Sequence, residues 1–433
     1  PRPSSASSSC SGSWGPDMPL KVLVVDDSSV IRRALAAVIE SAPELTLVGT
    51  ATNGRAGLEA IQRLEPDLVV LDVEMPEMNG LEVLEAMRRL RNRPYVFMFS
   101  SHTEHGTAMA LKALSLGAID CIPKPDGADV DANHALLRTE LLPRLKAMVG
   151  RVAQRTVTGP NPRMPAGTPW TPPSTTAVAR PVPAHAHAPR QTVPSLPPRT
   201  LTHERPAAAP LPRSAPSVQA PSTPLETRGS YDLKPIDVVT IAVSTGGPKA
   251  LLEILPSIPE WFPVPILIVQ HMPPTFTERL ASLLGSHCRI PVSEAAAGQP
   301  VPTRGVLIAP GGMHLVVKRR ERVIVTDTNS DPPENGCRPA ADVLFRTAAA
   351  VYGSRVLGVV LTGMGSDGLA GTRALRAGGA RVIVQDKATS IVWGMAGIVA
   401  TEGLADEILP LGSIAEVMIR RANVGRSFAG RPS

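Results

Sequence analysis

The sequence predicts an α/β protein: two doubly wound parallel-sheet domains joined by a disordered linker. Three observations carry that expectation. Apolar, β-branched runs recur in both halves, each ending in a polar turn and followed by a helical pattern. The segment between residues 150 and 233 is rich in Pro, Ala, Ser, Thr and Arg and has no periodicity. The 433 residues suffice for two or three domains, each with its own core. The expected divisions are an extension over 1–18, a first domain over 19–148, a linker over 149–233 and a second domain over 234–425.

Residues 1–17 are Ser-rich, lack the apolar core of a signal peptide, and read as a disordered or artefactual extension. Leu20–Val25 is a buried strand that ends in Asp26 and Asp27. Ser28 and Ser29 can cap a helix that carries Val30, Ile31, Leu35 and Val38. Two carboxylates at one strand end repel each other unless a cation lies between them. A second strand, Leu68–Leu71, ends in Asp72. The C-terminal strand ends of a doubly wound sheet share one crevice. Asp26, Asp27 and Asp72 can therefore converge on one hard cation, for which Mg²⁺ is the best match. Further strands end at Ser100 and near Lys124. Together these groups make a phosphoryl-accepting site: Asp72 attacks, Mg²⁺ and Lys124 neutralise charge, and Ser100 bonds a phosphoryl oxygen. Each acid alone reads as a loop carboxylate or a cap. Their succession at strand ends, in βα order, argues for a site.

The motifs Val-Val-Asp26-Asp27-Ser, Leu-Asp72-Val-Glu-Met-Pro76, Asn79-Gly80, Ser100 and Lys124-Pro125 resemble a response-regulator receiver domain. That resemblance implies a flavodoxin-like (βα)₅ fold and phosphorylation of Asp72 by a partner histidine kinase. It also implies Mg²⁺ held by Asp26 or Asp27, by Asp72 and by the main-chain carbonyl of Glu74. Cys121 stands where many receivers carry an aromatic, three residues before the lysine.

The linker cannot bury enough apolar surface to offset its ordering entropy and reads as long, basic and partly extended, with a docking segment for an acidic partner as the functional alternative. Its His185 and His187 are expected to bind nothing.

The second domain opens with Ile236–Val243, a buried strand that stops at Ser244. Thr245-Gly246-Gly247-Pro248 then opens a helix, with proline where its missing N–H costs nothing. A serine on such a strand-to-helix turn is either a nucleophile beside anion-binding N–H groups or a cap of that turn. Val264–Gln270 is a strand ending at His271, a candidate general base. Gly305–Ala309 runs into a glycine turn and His314, a second candidate base or a hydrogen-bonding wall residue. Arg355–Leu361 ends in Thr362-Gly-Met-Gly-Ser-Asp367-Gly, where Asp367 can orient an imidazole or cap the following helix. Residues 381–386 read as one more strand. Ser244, His271 and Asp367 all follow parallel-type strands and can meet in one crevice, as a serine nucleophile requires. Their chain order differs from the serine–acid–histidine order of α/β-hydrolases.

Ser244-Thr-Gly-Gly, Val269-Gln-His271-Met-Pro, Ile308-Ala-Pro-Gly-Gly-Met-His314 and Thr362-Gly-Met-Gly-Ser-Asp367-Gly resemble the catalytic domain of the chemotaxis protein-glutamate methylesterases, the CheB family. The resemblance implies Ser244 as nucleophile, His271 as base, Asp367 as orienting acid and an oxyanion hole from the main-chain N–H groups of Thr245 and Met364. It implies glutamyl methyl esters of chemoreceptors as substrates, deamidation of receptor glutamines as a second activity, and no cofactor for the ester step. Ala242-Val243 precede the serine where the family usually has Gly-Ala.

Composition bounds the alternatives. The net charge is +6, yet residues 151–233 hold nine arginines against three acids, an excess equal to the whole. The folded parts are thus near neutral, and an aromatic content of 3% does not favour a base-stacking surface, so no nucleic-acid partner is expected. The output half lacks a helix-turn-helix pattern, which ranks a transcription factor last. Four scattered cysteines form no CxxC pair and suggest neither zinc nor a disulfide framework. No apolar run approaches the ~20 residues of a membrane span, so no membrane insertion is expected, and the cytoplasm is the expected compartment. Two rivals to the chemotaxis reading are the same enzyme in another signalling pathway, and a phosphorylation-dependent receptor-binding adaptor with a degenerate site.

Overall fold

The computed structural model describes residues 19–101, 103–125, 130–152 and 234–426. The N-terminal extension, nearly all of the expected linker, and with it His185 and His187, lie outside the described residues.

The first half alternates strand and helix: β1 Leu20–Val25, α1 Ser29–Glu40, β2 Leu45–Ala51, α2 Gly54–Leu64, β3 Leu68–Asp72, α3 Gly80–Met87, β4 Tyr95–Ser100, α4 Glu104–Ser115, β5 Asp120–Pro123 and α5 Val130–Ala147. The strands form one parallel sheet in the order β2-β1-β3-β4-β5, the flavodoxin-like arrangement. Ser28 caps α1 as expected, its Oγ accepting from the Ile31 N–H. Pairing of Asp72 with Phe99 and of Ser100 with Pro123 sets Asp72, Ser100 and Lys124 at neighbouring C-terminal strand ends. The edge strand β2 carries no sequence signal of its own. Only its two end residues are buried, so it lacks the apolar run of β1, β3 and β4. Cys121 is buried, and its thiol donates to the Ala110 carbonyl (3.0 Å), tying β5 to α4.

The second half contains β6 Val238–Val243, α6 Gly247–Ile254, β7 Pro265–Gln270, α7 Phe276–His287, β8 Val292–Glu294, β9 Gly305–Ile308, β10 His314–Arg320, β11 Val323–Asn329, α8 Ala341–Tyr352, β12 Val356–Val360, α9 Leu369–Ala377, β13 Arg381–Gln385, α10 Met395–Thr401, β14 Glu407–Leu409 and α11 Leu411–Ala422. Seven strands form a parallel sheet in the order β14-β13-β12-β6-β7-β9-β8. Strands β10 and β11 stand apart as an antiparallel hairpin. Alternate strand residues feed opposite faces. Ile241 and Ile268 meet α6, α7 and α11 on one face; Ala242 and Leu267 meet α8 and α10 on the other. Both faces are covered, which is why these strands are apolar but for Thr240 and the terminal Gln270. The chain moves outward in both directions from β6. Its C-terminal end, between β7 and β12, is the switch point where such folds open a crevice.

The two sheets belong to one compact unit. Helix α4 lies against α6 and α7. Arg151, just past α5, donates to the Ala388 carbonyl (2.5 Å). Ile391 and Val392 are buried in the same apolar cluster as Met148 and Val152. Among the described residues, no helix is long and apolar enough to cross a membrane.

Candidate functional site

Strand β6 delivers Ser244 one residue past its end. The Ser244 N–H donates to the Thr362 carbonyl (3.0 Å), and its carbonyl accepts from the Gly247 N–H (2.7 Å) and the Gln270 side-chain amide (3.0 Å). The backbone is thus fixed, while Oγ makes no hydrogen bond among the described residues. The cap of α6 is Gly246, in a left-handed conformation (φ 77°), with Pro248 in the first turn. That removes the capping reading of Ser244. Any Cβ at Gly246 would lie 2.7 Å from Ile391, so the turn needs glycine twice over.

The Thr362–Gly368 turn comes against Ser244 from β12. A Cβ at Gly363 would fall 2.9 Å from the Ser244 Cβ. Thr362 ties this turn to the serine turn, its hydroxyl donating to the Thr245 carbonyl (3.0 Å) and accepting from the Val392 N–H (3.0 Å). Among the described residues, the N–H groups of Thr245 and Met364 donate to no protein acceptor. They remain available to a developing oxyanion.

Asp367 is 1% exposed, and every group around its carboxylate is a donor. Oδ1 accepts from the N–H groups of Asp342 and Gly368 (both 3.0 Å) and from the Asn335 amide (3.1 Å). Oδ2 accepts from the Ala341 N–H (2.6 Å) and from His271 Nε2–H (2.7 Å). Ala341 and Asp342 are the first residues of α8. Asp367 therefore does cap a helix, but α8 rather than the α9 that follows it; Gly368 caps α9. Burial pushes the Asp367 pKa up, but the hydrogen bond and charge of His271, with the N–H groups of Ala341 and Asp342, outweigh it and hold the carboxylate below its ordinary range.

Burial alone would push the His271 pKa down. The hydrogen bond to Asp367 and the Cys337 sulfur, 3.5 Å from Nδ1, lift it to about 9. A base must be unprotonated before it can take a proton. Ester hydrolysis is therefore expected to rise with pH from 6.5 towards about 9 as the neutral imidazole accumulates. A pH profile of kcat/KM checks this; an acid limb at ordinary histidine values would mean that the Asp367 bond does not govern the base.

The structure brings His271 and Asp367 into direct contact and sets Ser244 at the neighbouring strand end. His314 is not part of that group. Its Nδ1 accepts from the Ala340 N–H (3.1 Å) and its Nε2–H donates to the Pro332 carbonyl (3.2 Å), so both ring nitrogens are committed to the wall. Sequence reasoning passed over Gln270, Asn335, Cys337 and Thr362 as site residues. Gln270 could have been noticed as the buried polar residue before His271. Asn335-Gly336 is a turn dipeptide whose side-chain target no local pattern reveals.

In the first sheet, Lys124 Nζ bridges Asp26 (2.9 Å) and Asp72 (2.7 Å). The Glu74 N–H donates to Asp72 Oδ1 (3.1 Å). Burial, with the charge of Asp26 behind it, raises the Asp72 pKa to about 6, and burial also raises Asp26. Ser100 closes the group from β4, its hydroxyl donating to the Ser101 carbonyl. Carboxylate oxygens of Asp26, Asp27 and Asp72 lie within 4.8 Å of one another. Buried Oδ2 atoms of Asp26 and Asp72 lack a hydrogen-bond partner beyond the Lys124 ion pair. An all-oxygen set with unsatisfied buried anions fits a hard divalent cation.

Fold and sites together define a class: a receiver-type domain joined to an α/β domain of serine-hydrolase design. The CheB methylesterase family matches residues 239–418, and the response regulator receiver domain matches residues 22–132. The protein-glutamate methylesterase/protein-glutamine glutaminase of Trichodesmium erythraeum is 40% identical over 402 residues, covering 93% of this chain and 98% of that protein. A protein of the same name from Nocardioides is 40% identical over 403 residues, covering 93% and 95%. The crystal structure of the Thermotoga maritima CheB methylesterase catalytic domain shares 42% identity over 43% of this chain and 98% of its own, with a TM-score of 0.42. The chain belongs to the CheB methylesterase family, in the form that carries a receiver domain.

Proposed function

We propose that this protein hydrolyses glutamyl methyl esters on chemoreceptors to glutamate and methanol, deamidates receptor glutamines, and is controlled by phosphorylation of Asp72. The observation that carries the reading is the buried His271–Asp367 pair at the strand end next to Ser244. His271 takes the Ser244 proton as Oγ attacks the ester carbonyl. The N–H groups of Thr245 and Met364 receive the oxyanion, roughly 3 kcal/mol of transition-state stabilisation for each donor. His271 returns its proton to the leaving methoxide, and methanol departs. Water then attacks the acyl-enzyme, passing a proton to His271, and Ser244 is released with the glutamate. For glutamine the leaving group is ammonia, and the same residues serve.

Control comes from the first sheet. Asp26, Asp27, Asp72 and the Glu74 carbonyl would hold Mg²⁺, which when bound neutralises charge on an incoming phosphoryl group. Lys124 and Ser100 would hold phosphoryl oxygens, and a histidine kinase is the proposed donor. Support for coupling lies at Ile391 and Val392: both are buried with residues of α5, and both touch the site, Ile391 at Gly246 and Val392 at Thr362. A phosphoryl charge at Asp72 shifts that packing equilibrium and opens the crevice. The proposed compartment is the cytoplasm.

Methanol release from methylated receptor signalling fragments tests the reading. Release is expected to rise several-fold with a small-molecule phosphodonor and Mg²⁺, and Asp72→Asn is expected to remove that rise while leaving the basal rate. No release from several receptors, with Asp72 still phosphorylated, would refute the esterase.

A further inference from the structure

Residues Glu334–Cys337 form a two-residue hairpin turn between the β10–β11 hairpin and α8. Glu334 N–H donates to the Cys337 carbonyl (3.1 Å) and Cys337 N–H to the Glu334 carbonyl (2.9 Å). Asn335 (φ 54°) and Gly336 (φ 75°) fill the two left-handed positions, for which Asn-Gly is the preferred pair. The Asn335 side chain does not serve its own turn. Its Nδ2 donates to Asp342 Oδ2 (2.9 Å) and to Asp367 Oδ1 (3.1 Å). An amide NH₂ has two hydrogens, and here each has a carboxylate.

Those carboxylates are 2% and 1% exposed. Two buried acids in one network would relieve repulsion by protonating one, and burial with the Asp367 charge already raises Asp342. A neutral donor between them opposes that rise and holds Asp367 square to the imidazole. The turn is itself anchored, because the Glu334 carboxylate makes a two-pronged pair with Arg346 of α8 (2.6 Å each). Its other end reaches the base. Cys337 Sγ lies 3.5 Å from His271 Nδ1 and is the only hydrogen-bond partner of that nitrogen among the described residues. Nε2 is taken by Asp367, so Nδ1 is the nitrogen that must receive the Ser244 proton.

We propose that the Glu334–Cys337 turn is a positioning clamp for the triad: Asn335 fixes the acid by bridging Asp367 to Asp342, and Cys337 holds the open edge of the His271 ring until Ser244 engages it. Both act through Asp367 and His271. The proposal rests on the methylesterase reading of the Ser244 site and adds to it the residues that aim the acid and the base.

Asn335→Gly is the decisive variant, since glycine keeps the left-handed turn and deletes only the amide. In the full chain, its kcat for methanol release is expected to fall about 10- to 100-fold with KM within twofold. Asn335→Asp keeps the turn but adds a third carboxylate to Asp342 and Asp367. Extra negative charge favours the imidazolium, so the acid limb of kcat/KM moves to higher pH. Cys337→Val removes a group that favours the imidazolium, so the limb moves the other way. An unchanged kcat in Asn335→Gly, whether or not thermal stability drops, would overturn the clamp, as would identical pH profiles in all three variants. The acylation rate of Ser244 by a small activated ester is measured in parallel. Acylation slowed in Asn335→Gly supports the clamp even if wild-type protein releases no methanol from receptors, an outcome that would fail the substrate reading alone.

Discussion

Ser244→Ala is expected to lower methanol release at least about 10⁴-fold, a loss of over about 5 kcal/mol of transition-state stabilisation. The fold should not register the change. Alanine keeps the Cβ that packs against Gly363 and removes an oxygen that makes no hydrogen bond among the described residues. The backbone contacts of residue 244 to Thr362, Gly247 and Gln270 use no side-chain atom of the serine. Loss of rate without loss of thermal stability is therefore the expected pair of results, measured on one preparation. Residual turnover within tenfold of wild type would mean that another group attacks the ester. Among the described residues, the other nucleophilic side chain in contact with His271 is Cys337, so the double variant with Cys337→Val would identify it.

Much of this arrangement was legible in the sequence because the strands that matter are buried on both faces. β12 is wholly apolar, β6 is apolar but for the buried Thr240, β7 is apolar up to Gln270, and each leads to a polar residue that must face the crevice. That exposes Ser244, His271 and the Thr362–Gly368 turn to simple reading. The same logic gives Asp26, Asp72, Ser100 and Lys124 in the first half. The half-exposed elements were not legible. β2 alternates too weakly, and the β10–β11 hairpin has its exposed tip in a run of charges, Lys318 to Arg322. Contacts made through space escaped for a different reason. Asp367 caps a helix that begins 26 residues earlier in the chain, and Asn335 reaches a carboxylate 32 residues later. Local propensity contains no such information. The substitution of Cys121 for an aromatic is visible in sequence, but its consequence is not: a thiol that donates to Ala110 pins β5 to α4, the helix that faces α6 and α7.

Asp367→Asn is expected to cost about 10⁴-fold in kcat, for a reason peculiar to its surroundings. All five groups that contact the carboxylate are donors. An asparagine has one oxygen and one NH₂. With its oxygen in place of Oδ1, the NH₂ points at the Ala341 N–H and at His271 Nε2. The imidazole can avoid the clash only by taking the tautomer with its proton on Nδ1, which then meets Ser244 with a proton instead of a lone pair. Turning the amide round moves the conflict to Asp342, Gly368 and Asn335. Either way at least one buried N–H loses its acceptor, so stability should also fall by roughly 1–3 kcal/mol. Loss of the negative charge removes the chief support of the imidazolium, and whatever activity survives should show its acid limb at lower pH than wild type. The three readouts separate the two jobs of this residue. A stability loss with kcat within tenfold would leave Asp367 as a cap of α8 only. A rate loss with the acid limb unmoved would mean that its charge does not reach the base. Both effects together, with the limb shifted down, are what a carboxylate does when it holds a helix with one set of lone pairs and a histidine with the other.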